Sequence, residues 1–274
     1  MDTALTAIAL ALLLGCALLW LTRSRKDPLA NAPKRPNRLR EDSLALVVLV
    51  YLLALMVVAG SAQLAGVDTE NLWVRLLTGT TAQVAGTIAC LVVVAKSFDG
   101  GVARFCLGST SAQGRLPLHT GLILVGLILA VGICPMVLQT TMALITSLAP
   151  DYEFPTHPTI ETLHDPAGPL GLKVLLWLSA AVIAPVAEET FFRGVLQTFL
   201  IGLVRSRWIA TCAAALAFSV IHVSQPHAIP ALFVLAVLIG FIYERTGSLN
   251  SAIVIHTLFN LKTLIWDSLG AFNP

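Results

Sequence analysis

The sequence predicts an all-α polytopic membrane bundle of about eight transmembrane helices, with both termini on the outer side. Three observations predict it. Hydrophobic residues make up 57% of the 274 positions. Charged residues make up 12%, against roughly 25% in an average soluble domain, too few to solvate a soluble fold of this size. The chain also carries many apolar stretches near the roughly 20 residues that cross a hydrocarbon core of about 30 Å. A soluble enzyme, a disulfide scaffold and a disordered chain are excluded. The net charge of +2, with no basic stripe interleaved with aromatics, gives no sign of a nucleic-acid partner.

The apolar segments run approximately from Ala4 to Thr22, Leu44 to Ala65, Leu76 to Ala95 and Leu118 to Leu138. They continue from Val174 to Leu203, Trp208 to Val223, Ile229 to Tyr243 and Leu249 to Trp266. The first is not a cleaved signal peptide. It lacks a basic leader, and its positive cluster Arg23, Arg25, Lys26 follows the apolar run, as in a signal anchor with the N-terminus outside. Alternate loops then place thirteen basic residues on the cytoplasmic side, from Arg23 to Arg245, and only Arg75 and Lys173 on the outer side. That bias fixes the predicted orientation. Between the first two spans, Lys26 to Arg40 with Pro28, Pro33 and Pro36 reads as an irregular, solvated, basic cytoplasmic linker within reach of anionic headgroups. The stretch from Ala149 to Leu172 is acidic and proline-rich, as an outer loop.

Cys16, Cys90, Cys106, Cys134 and Cys212 are odd in number and form no C-x-x-C pair, so they read as small packing residues. Gly121, Gly126 and Gly132 in the fourth span, and Cys212 to Ala215 in the sixth, allow close helix approach in lipid. His119, His157 and His164 read as surface histidines, His227 as a solvated turn residue, and Lys262 as a side chain reaching for the outer interface.

The last four spans are different. Glu188, Glu189 and Arg193 fall inside the fifth, His222 in the sixth, and His256 with Asn260 in the eighth. A charged side chain at a span centre costs about 2.5–3.5 kcal/mol, so the set demands mutual pairing or a hydrated cavity. Glu189 and Arg193 are four apart with the acid first, the better order for an ion pair on one helix face. Glu188, five residues before Arg193, lies roughly 140° around the helix and points elsewhere. One carboxylate is thus neutralised while its neighbour meets a different environment. Pro185 removes a backbone donor beside the pair and bends the helix. Phe218 lies four residues before His222 and can pack on its ring. His256 and Asn260 share the same spacing, so their polar tips can converge. A carboxylate base, an imidazole and two donors suit hydrolysis at a carbonyl. Glu188 would take a proton from water oriented by His222, and His256 and Asn260 would stabilise the oxyanion.

Three motifs carry these residues: Glu188-Glu189-Thr190-Phe191-Phe192-Arg193 (EExxxR), Phe218 to His222 (FxxxH) and His256 to Asn260 (HxxxN). In that order, each within an apolar span, the set resembles the CAAX protease and bacteriocin-processing (CPBP) family of intramembrane endopeptidases. That family includes type II CAAX prenyl endopeptidases and lysostaphin-resistance-like proteins. The resemblance covers roughly Lys173 to Trp266. It implies a helical membrane protease with Glu188 as catalytic residue, completed by His222, His256 and Asn260. Glu189 and Arg193 are then structural. It divides the chain into residues 1–170 (N-terminal helices, basic linker, acidic loop), a protease core over 171–268, and a tail over 269–274.

A zinc site of Glu188, His222 and His256 is the alternative. Without an H-E-x-x-H helix, the reading favours a glutamate mechanism with no cofactor. Membrane lipid and a membrane-associated peptide or protein are the expected partners, and the cytoplasmic membrane of a bacterium the expected location. Because bacteria generally lack protein prenylation, CaaX cleavage is not carried over as the physiological reaction. Two other functions compete: a non-catalytic partner or immunity protein on the same fold, and a proton-coupled transporter. No site residue has been lost, against the first; no inverted repeat is present, against the second.

Overall fold

The computed structural model describes residues 3–23, 28–29, 31–68, 71–108, 116–155, 162–165 and 168–269. Within these the chain is helical, with no strand and one isolated bridge between Asn37 and Phe98. His157 and the tail beyond Leu269 lie outside the described residues.

The helices are α1 (Thr3–Arg23), α2 (Glu41–Leu64), α3 (Leu72–Ser97), the short α4 (Gly101–Leu107) and α5 (Leu116–Leu148). They continue with α6 (Leu170–Val204), α7 (Arg207–Val220), α8 (Ile229–Thr246) and α9 (Leu249–Ser268). Local chemistry sets several ends. Glu41 and Asp42 occupy the first turn of α2, where the helix dipole favours acids. The Asn71 side chain accepts from the Trp73 N–H at the start of α3, and Ser206 from Ile209 N–H at the start of α7. Gly247, at φ 68°, ends α8 in the left-handed conformation that glycine adopts without a Cβ clash.

Each predicted apolar segment falls on a helix, but the expected eight spans are not all of one kind. Among the described residues, five helices are long and apolar enough to cross a membrane: α2, α3, α5, α6 and the stretch Pro226–Thr246. The chain is a multi-pass membrane protein on that basis. The sixth segment differs most. Its helix ends at Val220, after 14 residues, about 21 Å at 1.5 Å per residue, short of a hydrocarbon core.

The core is built around α8. In its apolar window 67% of residues are buried within the protein, against 6% in α2. α1, α5, α7 and α9 all pack against α8. α1 sets Ala11, Leu14 and Leu18 against a cluster with Phe233, and Gly15 leaves its ring room. α2 and α3 form a hairpin to one side, with α3 against α6.

The linker after α1 departs from the expected solvated segment. Leu29 and Ala32 are buried. Arg38 N–H donates to Ser97 O at 2.8 Å, and Asp99 N–H to Pro36 O at 3.2 Å. Arg35 stacks its guanidinium 4.0 Å from the Tyr243 ring centroid and pairs with Glu244. Glu244 is fully buried, and Arg207 meets its other oxygen at 2.8 Å while also donating to Pro33 O at 2.9 Å. Gln197 Nε2 completes the cluster at 3.1 Å from Glu244 Oε1. The reason is a buried acid: a carboxylate inside the bundle needs cations, and the linker and the start of α7 supply them.

Candidate active site

α6 carries both carboxylates and is not a uniform α-helix. Wider π-helical turns occupy Ser179–Ile183 and Thr190–Gln197, on either side of Ala184–Glu189. Pro185 has no N–H to give, and its ring crowds the carbonyl four residues back. The π turn just before it absorbs both problems without breaking the helix. The bend expected at Pro185 is therefore a local widening, and the glutamates sit in the ordinary turns between.

Glu189 is fully buried and lies at the centre of a linked set. Arg193 Nε stands 3.0 Å from Glu189 Oε2, an ion pair whose alignment is not that of a hydrogen bond. Arg193 also reaches Ala236 O from Nη2 at 3.3 Å, with its guanidinium 5.1 Å from the Phe218 ring centroid. The other oxygen of Glu189 is 2.7 Å from His256 Nδ1. That contact had no sequence signal, since the partners are 67 residues apart. Glu189 thus orients a histidine as well as balancing an arginine. His256 Nε2 is turned towards Glu188 Oε2 at 3.7 Å.

Glu188 keeps 23% of its side-chain surface exposed, whereas Glu189 keeps none. The two adjacent acids therefore occupy different environments. Glu188 lines a cavity of about 280 Å³ together with His222, His256, Asn260 and Phe218. Ser179, Ala180, Leu76, Leu232 and Gln83 form further parts of its wall. Residues from the three motifs thus face one space.

His222 does not lie within a span helix, as the sequence suggested. It sits two residues past the end of α7, in the turn leading to Pro226. Its backbone N–H donates to Ser219 O at 3.2 Å, and its Nδ1 lies 2.8 Å from Phe218 O. A carbonyl only accepts, so Nδ1 carries the proton and Nε2 keeps the lone pair in the neutral ring. The ring caps the helix C-terminus and packs 4.9 Å from Phe218, centroid to centroid. Phe218 also meets His256 and Phe192 edge-on, at 5.8 and 5.2 Å. Asn260 donates one Nδ2 proton to Ala180 O at 2.9 Å. That carbonyl belongs to the first π turn, which ties α9 to α6 beside the cavity.

Other sequence candidates lie elsewhere. His164 Nε2 is 2.8 Å from Asp267 Oδ2, and the His227 ring packs 5.3 Å from Phe154. Lys262 lies 5.3 Å over the Trp266 ring. Among the described residues, no three His, Cys, Asp or Glu side chains are grouped tightly enough to hold a metal ion.

Beside the polar cavity lies a larger, apolar cleft of about 380 Å³ between α2, α3 and α6. Val47, Tyr51, Gly86, Cys90 and Phe191 line it, and Gln83 and Glu188 line both spaces. The sequence offered no motif in α2 or α3 that would have flagged them.

Residues 170–262 match the family described as Type II CAAX prenyl endopeptidase Rce1-like. The match spans all three motifs and stops short of α1–α5. No curated protein and no solved structure matches the chain.

Proposed function

We propose, from the match of residues 170–262 to the type II CAAX prenyl endopeptidase Rce1-like family, that this chain is an intramembrane endopeptidase. Its reaction is hydrolysis of a peptide bond in a membrane-associated peptide or protein. One observation carries the reading: Glu188, His222, His256 and Asn260, drawn from three distant stretches of the chain, line one cavity.

In this mechanism Glu188 accepts a proton from water as the oxygen attacks the carbonyl carbon. His222, with Nδ1–H held by Phe218 O, accepts the water's other hydrogen at Nε2 and fixes its orientation. The carbonyl oxygen becomes an oxyanion. Asn260 donates its second N–H to it, the first being held by Ala180. His256, anchored through Nδ1 on Glu189, donates from Nε2 when that nitrogen also carries a proton. Each such donor contributes about 3 kcal/mol to the transition state. The C–N bond then breaks, and Glu188 returns its proton to the leaving amine. No step calls for a metal. The π turns and the Glu189–Arg193 pair hold these groups in place without touching substrate. The location is the cytoplasmic membrane of a bacterium.

The test is cleavage of a panel of membrane-tethered reporters, a prenylated CaaX peptide among them, in cells making the protein. Glu188→Gln is nearly isosteric and lowers cleavage by at least about a hundredfold at unchanged protein level. Wild-type cleavage by Glu188→Gln, with loss in Glu189→Gln, reverses the two roles. Activity of the purified protein survives chelation; loss on chelation with zinc-specific rescue replaces the glutamate mechanism by a metal one.

A further inference from the structure

Gln83 stands in a position that the motif residues leave unexplained. It projects from α3, outside the matched residues, yet lines both the polar cavity and the apolar cleft, as does Glu188. The two spaces therefore adjoin between these side chains. Its Oε1 is buried and accepts no hydrogen bond among the described residues. An amide oxygen left unpaired is unfavourable, so a small turn of the side chain that brings Oε1 to a donor in the adjoining space is rewarded. Gly86, Thr87 and Cys90, at the following helical positions of α3, continue the same face along the cleft with small side chains. Tyr51, Thr87 and Glu188 also line the cleft, and of its polar residues Gln83 and Glu188 are the ones that also line the polar cavity.

We propose that Gln83 is a substrate-positioning residue that binds the peptide backbone next to the scissile bond. The inference rests on the hydrolytic reading given above. A carboxamide is complementary to an extended peptide residue, whose N–H and C=O point to the same side. Oε1 accepts the N–H and Nε2 donates to the C=O. An apolar segment seated in the cleft between α2 and α3 is thereby held in register as it passes Gln83, with its next peptide bond against Glu188. Glutamine suits this place because it is neutral: it adds no charge beside the carboxylate that must take the proton, and it pairs with any sequence.

The experiment uses the full-length protein in detergent and a reporter peptide cleaved in the panel above. Gln83→Met keeps the length and removes both polar atoms. It raises KM about ten- to a hundredfold, the size expected for two lost net hydrogen bonds, with kcat within about twofold. A second arm needs no variant. Ester-for-amide replacements, placed singly on either side of the scissile bond, remove one backbone N–H at a time. One of them raises the wild-type KM about tenfold, and the same ester adds nothing further in Gln83→Met. An unchanged KM in Gln83→Met overturns the proposal, as does an ester series with no sensitive position. A fall in kcat with lowered thermal stability and unchanged KM also overturns it, because that is the pattern of a packing role. Glu188→Gln run alongside separates the levels. If it is inactive while Gln83→Met behaves as wild type, only the role of Gln83 fails; if Glu188→Gln and Glu189→Gln both cleave as wild type, the hydrolytic reading fails.

Discussion

α8 and α2 are both apolar helices of similar length, yet they solve different problems. In α8 two thirds of the apolar window is buried within the protein; in α2 only 6% is, although it packs along α3. The difference follows the chemistry. Glu189, Arg193, His256 and Glu244 each need a partner, and lipid offers none, so their helices enclose one another. α2 carries no such group beyond its first turn and can serve as a wall. α3 lies between these extremes, with 28% of its window buried, and it alone of the α2–α3 hairpin sets a polar side chain, Gln83, against the cavity. Burial here marks where charge must be kept, more than where apolar area is available.

That contrast can be broken at graded positions. Arg193→Ala has the largest effect, because it strands the Glu189 carboxylate in the bundle; about 3–5 kcal/mol of stability is lost. Membrane abundance and the melting temperature in detergent both fall, even with reporter cleavage abolished in a Glu188→Gln background. Gly240→Ala comes next. A Cβ there meets Gln197 Oε1 at 2.8 Å and Thr211 Cγ2 at 2.9 Å, and this overpacking costs about 1–3 kcal/mol, read as a lower melting temperature. Arg35→Ala removes one of the two cations on Glu244 and costs about 1–3 kcal/mol. Limited proteolysis reports it directly, as new cutting between residues 28 and 40. Met56→Ala on the outward face of α2, 70% exposed, changes stability by less than about 0.5 kcal/mol. A large loss from Met56→Ala, seen in the same melting assay, would sink the description of α2 as a wall.

What the sequence disclosed, and what it hid, divides along the same lines. Local spacing was readable. The Glu189–Arg193 pair follows from a four-residue interval on one helix, and the packing of Phe218 on His222 from the same interval carried just past the end of α7. The all-helical class followed from composition. Contacts between distant stretches were not readable: His256 on Glu189, Asn260 on Ala180, and Arg35 on Glu244 each need the tertiary arrangement to exist first. The π turns were hidden because they depend on how α6 accommodates Pro185 while packing on its neighbours. His222 was misplaced for a simpler reason. Ile221 and Val223 extend the apolar run past the last helical hydrogen bonds of α7, so hydropathy continues where the helix stops. Gln83 gave no signal, since one glutamine in an apolar span has no motif around it.

The clamp on Glu244 has a bearing on how the molecule is made. Arg35 and its carboxylate are separated by 209 positions, and Arg207 by 37. During synthesis Arg35 has neither Tyr243 nor Glu244 to meet until α8 has been made. Closure of a loop of that length is entropically late, so the linker's bonds to Ser97 and Asp99 precede its contact with Glu244. A nascent chain halted before residue 244 holds its linker by those bonds, without the charged clamp.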